Sequence, residues 1–264
     1  MFRKTILLFV LLTISSVCNA LDFTVEKDVA YGTAERNKMD IYHPAESAGQ
    51  LPVIVWFHGG GLTGGEKFLP EQLMTGEYIV IAPSYRLMPS ASLDDCIDDA
   101  AAVVAWAMDN AERLGGDPSK VFVSGHSAGG YLTSMIGLDK KWLQKYDKDA
   151  DDLAGLIPFS GQVITHFAQR QKQGISELTP TINEYAPLFH IRKDAPPYVI
   201  ITGDRELELY GRYEENAYMY RMMKLNGHPY VYIYELDGYD HGAMHAPAYH
   251  ILKNHIRKIL NPQI

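Results

Sequence analysis

The sequence predicts an α/β protein: a mostly parallel sheet flanked by helices. Three observations predict it. Short continuous apolar runs alternate with amphipathic stretches. Gly125-His126-Ser127-Ala128-Gly129 joins one such run to a helical segment. His58-Gly59-Gly60-Gly61 closes another. Continuous apolar runs suit strands covered on both faces, and their alternation with helices suits parallel pairing.

Taken in order, Phe23–Val29 and Lys38–Tyr42 read as two early strands joined by a glycine-containing turn. Val53–Phe57, Ile79–Ile81, Val121–Val123, Leu156–Phe159, Tyr198–Thr202 and Val231–Tyr234 are the later strands. Leu93–Leu114 is a helix. Asp94, Asp95, Asp98 and Asp99 lie in its first turns, where the helix dipole favours negative charge, and Ile97, Ala101, Val104 and Met108 share one face. Gly115-Gly116-Asp117-Pro118 stops it. Tyr213–Leu225 and Pro247–Leu260 are further helices. Residues 163–193 are polar with scattered aromatics. They read as an excursion over the sheet edge, either a plain surface loop or a cap over a substrate.

The chain has 264 residues, 47% of them hydrophobic, enough for one domain with a full core. Its formal charge of -8 makes nucleic acid and anionic membranes poor partners. No Cys-x-x-Cys spacing accompanies the ten histidines, and no metal is expected. Residues 1–20 read as a secretory signal: Arg3-Lys4 is the basic flank, Thr5–Ile14 the apolar stretch, and Cys18-Asn19-Ala20 the small-residue cleavage region. A lipoprotein with Cys18 lipidated is the alternative. Residues 21–264 then form a single catalytic domain, exported to a bacterial periplasm or secreted. Cys96 would be its only cysteine, so no internal disulfide can form.

A serine hydroxyl becomes a nucleophile only with a base, a group that orients the base, and donors for the oxyanion. Ser127 is the candidate nucleophile, delivered by a strand and exposed by a tight turn. His58-Gly59-Gly60-Gly61 can aim main-chain N–H groups into a cleft, so Gly60, Gly61 and Ala128 are the candidate oxyanion donors. His241, in Gly238-Tyr239-Asp240-His241-Gly242 after the last strand, is the candidate base, with His245 and His228 as rivals. The acid is expected after Tyr198–Thr202, in Gly203-Asp204-Arg205-Glu206. Asp204 and Glu206 both qualify, with Glu206 preferred for its offset from the glycine.

With these residues the chain resembles the α/β-hydrolases, in the His-Gly-Gly-Gly esterase group that includes hormone-sensitive-lipase-like and bacterial feruloyl-esterase-like enzymes. The matching pieces are His58–Gly61, Ser84-Tyr85-Arg86-Leu87-Met88-Pro89, Gly116-Asp117-Pro118, Gly125–Gly129 and Asp240-His241-Gly242. The resemblance implies an eight-stranded, mostly parallel sheet, no cofactor, and a serine carboxylesterase working through an acyl-enzyme. Its substrates would be small-molecule esters or acyl groups carried on polysaccharides. An amidase, peptidase or formamidase on the same fold is the alternative, and a non-enzymatic binding relative a third. The short stretch before Lys38 leaves little room for an N-terminal helical cap, which favours the feruloyl-esterase-like type.

Overall fold

A computed structural model describes residues 22–45 and 50–262. The expected signal segment, residues 1–20, lies outside the described residues, so the boundary at residue 21 does too.

Eight strands form one sheet: β1 (Phe23–Ala30), β2 (Lys38–Pro44), β3 (Leu51–Phe57), β4 (Ile79–Pro83), β5 (Gly116–His126), β6 (Gly155–Phe159), β7 (Tyr198–Gly203) and β8 (Val231–Leu236). Their order across the sheet is β1-β2-β4-β3-β5-β6-β7-β8. β1 and β2 pair antiparallel, as do β2 and β4; every later pairing is parallel. The helices are α1 (Leu93–Asn110), α2 (Ala128–Leu138), α3 (Lys141–Gln144), α4 (Phe167–Lys172), α5 (Arg212–Leu225) and α6 (His245–Leu260).

The apolar runs are buried on both faces. Along β3, Val53, Val55 and Phe57 join a core shared with α1, α2 and α5, while Ile54 and Trp56 join a second core under α6. A strand's period of two sends neighbours to opposite faces, so a doubly covered strand must be apolar throughout. α1 starts at a reciprocal cap: the Ser92 hydroxyl accepts from the Asp95 N–H, and the Asp95 carboxylate accepts from the Ser92 N–H. Ile97, Ala101 and Val104 lie in its buried face, with Met108 packed against it half-buried. α1 ends at Asn110, earlier than expected. A separate 3₁₀ turn over Glu112–Leu114 and Gly115 in the left-handed region then feed directly into β5, whose first residue Gly116 already pairs with Leu51.

β5 lies in the middle of the sheet, between β3 and β6. Its C-terminal end therefore adjoins the loop after β3 on one side and the end of β6 on the other. In an open parallel sheet this is where the carboxyl ends of strands create a crevice.

Candidate active site

The turn from β5 to α2 puts Ser127 at φ 57°, ψ -112°, a left-handed backbone that a side chain resists. The fold holds it there. The Ser127 N–H donates to the Phe159 carbonyl at 2.8 Å, and its own carbonyl accepts from Tyr131 N–H within the first turn of α2. The flanking glycines are required by proximity. A Cβ on Gly129 would stand 2.1 Å from the Phe57 carbonyl oxygen, and one on Gly125 2.6 Å from the same atom. The Gly-x-Ser-x-Gly spacing is thus the spacing at which α2 can start against the end of β3.

Ser127 Oγ lies 2.8 Å from His241 Nε2. His241 Nδ1 lies 2.7 Å from Glu208 Oε2, and the Glu208 side chain is fully buried. Of the other histidines considered, His245 Nδ1 bonds the Gly242 carbonyl, and His228 is buried against the carbonyls of Ala195 and Pro196.

The carboxylate on His241 Nδ1 belongs to neither of the expected residues, Asp204 and Glu206. Asp204 bonds main chain instead: its Oδ1 accepts from Glu206 N–H and its Oδ2 from Gly238 N–H at 2.8 Å. Those bonds hold its carboxyl below the usual range and tie the loop after β7 to the loop after β8. Glu206 is exposed to solvent. The cause is the turn that follows β7, where the N–H groups of Leu207 and Glu208 both donate to the Asp204 carbonyl. This turn points Glu206 outward and brings Glu208 back beneath His241. The neighbouring arginines are engaged elsewhere, Arg205 with Glu235 and Arg212 with Glu215.

Glu208 accepts from four donors: His241, the Gly203 N–H at 2.9 Å, the Leu209 N–H at 3.2 Å and the Ser160 hydroxyl. Burial alone would raise its pKa; the bonds from His241 and Ser160 outweigh it and hold the carboxyl at about 2. Ser160 Oγ also stands 3.1 Å from His241 Nδ1, and Ser160 itself sits at φ 46° just beyond β6. His126, inside the serine motif, contributes as well. Its Nε2–H donates to the His241 carbonyl at 2.7 Å, and burial drops its pKa to about 4, which keeps the ring neutral. Neither Ser160 nor His126 had been singled out by sequence; their only signal was adjacency to a strand end that carries a reacting group.

The loop after β3 completes the site. Gly60 and Gly61 have φ of 113° and 65°, which glycine adopts readily. The Gly60 carbonyl turns away to accept from Thr63 and Gly64 N–H. A Cβ on Gly59 would stand 3.4 Å from the Ser127 Cβ, so this loop abuts the serine turn. Among the described residues, the N–H groups of Gly60, Gly61 and Ala128 have no acceptor. His58 supports the loop from beneath: its ring stacks on Tyr85 at 4.3 Å, and the Tyr85 hydroxyl donates to its carbonyl. No group of three or more His, Cys, Asp or Glu among the described residues is placed to hold a metal ion.

Residues 39–209 match the family described as BD-FAE. The chain belongs to that family. It is also similar to a probable isoprenylcysteine alpha-carbonyl methylesterase of Arabidopsis thaliana, 25% identical over 68% of this chain and 43% of the relative. A probable carboxylic ester hydrolase, LipM, of Mycobacterium tuberculosis is 25% identical over 80% of this chain and 54% of its own. The chain spans 43%, 27% and 28% of the lengths of the first three curated relatives. Among solved structures, esterase 2 of Thermogutta terrifontis superposes with a TM-score of 0.72 at 22% identity, covering 89% of this chain and 94% of its own. The fold is that of the α/β-hydrolases, with the eight-stranded, mostly parallel sheet that the resemblance implied.

Proposed function

We propose that the protein is a serine carboxylesterase in which Ser127, His241 and Glu208 act as nucleophile, base and acid. The observation that carries the reading is the unbroken relay from Ser127 Oγ through the His241 ring to a buried carboxylate, beside three N–H groups without acceptors among the described residues. Ser127 Oγ attacks the ester carbonyl carbon as its proton passes to His241 Nε2. The carbonyl oxygen becomes an oxyanion against the N–H groups of Gly60, Gly61 and Ala128. His241 returns the proton to the departing alkoxide, which leaves as the alcohol. Water then attacks the acyl-Ser127 with His241 again as base, releasing the acid and restoring Ser127. Glu208 fixes the tautomer with Nδ1–H toward itself and stabilises the ring when it is charged.

The esters fall into the classes the sequence suggested, small-molecule esters and acyl groups carried on polysaccharides, and the protein works after export. The family and the ester-hydrolase relatives support the reaction class. The leader-like residues 1–20 support export.

Ser127→Ala should lower kcat on p-nitrophenyl acetate by several orders of magnitude, roughly 10⁴-fold or more, and abolish labelling by a fluorophosphonate probe. A variant that keeps most of the activity would remove Ser127 from the mechanism. Acetylated xylan and an aryl amide, assayed beside the simple ester, test the polysaccharide and amide alternatives.

A further inference from the structure

A cavity adjoins the proposed site on the side of residues 163–193. One wall is Phe167, whose Cζ lies 2.9 Å from where a Cβ on Gly61 would be. Another is Leu209, which directly follows Glu208, with Tyr210 beside it. Among these apolar walls stand three side chains that are more than nine-tenths buried: Gln162, Arg170 and Arg212.

Each has a job that occupies only part of it. Gln162 Oε1 accepts from Phe167 N–H. Arg170 donates Nε to the Thr165 carbonyl and Nη1 to those of Ser176, Glu177 and Thr179, folding the excursion around itself. Arg212 bonds the Ser160 carbonyl through Nη1 and pairs with Glu215 through Nε at 2.9 Å. Among the described residues, Gln162 Nε2 and the Nη2 atoms of both arginines have no hydrogen-bond partner. These three nitrogens are not fully enclosed: each keeps some access to solvent although its side chain is buried, and so is free to donate to a ligand acceptor.

The charges do not cancel either. Two buried guanidinium groups face one buried carboxylate, Glu215, whose side chain is 8% exposed. Burial pushes the Glu215 carboxyl up to about 7, so it is an incomplete counter-charge near neutral pH. Glu177 also lines the cavity, but it lies toward solvent and its Oε2 takes the Gln171 amide.

We propose that this cavity binds a carboxylate carried by the substrate, held by the free donors of Arg212, Arg170 and Gln162. A planar guanidinium and an amide nitrogen suit the two oxygens of a carboxylate. The inference rests on Ser127 being the nucleophile of an ester hydrolase and names the kind of ester it takes. The carboxylate belongs either to the acyl part or to the alcohol part of the ester.

Two pairs of esters test it. The acyl pair is 4-nitrophenyl hemiglutarate against 4-nitrophenyl hexanoate. The alcohol pair is 4-acetoxybenzoate against 4-acetoxybenzamide. After subtraction of the rate without enzyme, the charged ester should have the higher kcat/KM in one pair, by roughly tenfold, expressed mainly in KM. The pair that shows it identifies which part carries the carboxylate. Gln162→Glu keeps the acceptor for Phe167 N–H but replaces the free donor by a negative oxygen, so the preference should vanish or reverse. Gln162→Met reads the same ratio should the glutamate variant not fold. Equal or lower kcat/KM for the charged ester in both pairs overturns the proposal while leaving the esterase reading intact, as does a preference unchanged by the Gln162 variants. Failure to hydrolyse any of the four, together with no fluorophosphonate labelling of Ser127, removes both.

Discussion

Glu208 is where single residues decide the account. Three acids lie within five positions after β7, and only one has its carboxylate on His241 Nδ1. Glu208→Gln should lower kcat on the order of a thousandfold, because the amide can no longer stabilise the charged ring. Asp204→Asn and Glu206→Gln should stay within a few-fold of the parent, which steady-state kinetics on one ester will show. On this reading His126 is a positioning residue: it anchors the main chain of His241 and packs its ring against the His241 ring, with 4.8 Å between centroids. His126→Ala should reduce kcat with little change in KM, and His126→Gln, whose amide N–H can reach the same carbonyl, should restore much of the loss. If alanine and glutamine are equally impaired, the bond to the His241 carbonyl is not what His126 supplies.

At the scale of elements, the serine turn depends on how closely α2 starts against β3. In a free helix, alanine is favoured over glycine by about 1 kcal/mol. At position 129 the added methyl would meet the Phe57 carbonyl at 2.1 Å, and main chain cannot move aside cheaply. Gly129→Ala should therefore destabilise the protein by about 2 kcal/mol or more in urea unfolding; a neutral or stabilising result would show that the two elements are less tightly docked. Strands β3 to β7 were readable in the sequence because burial on both faces leaves apolar runs with no alternation to confuse them; β8, half-buried at the sheet edge, was readable from its run of valine, isoleucine and tyrosine. The serine, the glycine loop and the histidine were readable because each sits where a strand ends. The acid was not, because it is set by the pitch of a turn rather than by a residue type. Ser160 and the donors around Arg212 were hidden for a related reason: their meaning comes from a crossing of β6, α5 and the 163–193 segment that no local pattern encodes.

For the molecule as a whole, two buried carboxyls give stability opposite dependences on pH. Glu208 titrates at about 2 when folded, below its ordinary 4.5, so the stability it contributes is complete above 4.5 and is lost as pH falls from there through 2. Glu215 titrates at about 7, above its ordinary 4.5, so the folded protein holds a proton that the unfolded chain releases. Its contribution favours the fold below 4.5 and is lost as pH rises from there through 7. Glu215→Gln should flatten the fall in stability between pH 4.5 and 7, measured by denaturant melts at fixed pH, and leave the acid side unchanged. An unaltered slope in that window would mean that Arg212 keeps Glu215 ionised throughout.

The central claim is that a hydroxyl, an imidazole and a carboxylate from three distant loops of this fold work as one unit. The rate of fluorophosphonate labelling at Ser127, read by intact-protein mass spectrometry, tests it without any assumption about substrate. Rapid labelling of the parent and of Glu206→Gln, with labelling at least a hundredfold slower in Glu208→Gln and His241→Ala, is the predicted result. Equal labelling rates in the parent and in Glu208→Gln would contradict it.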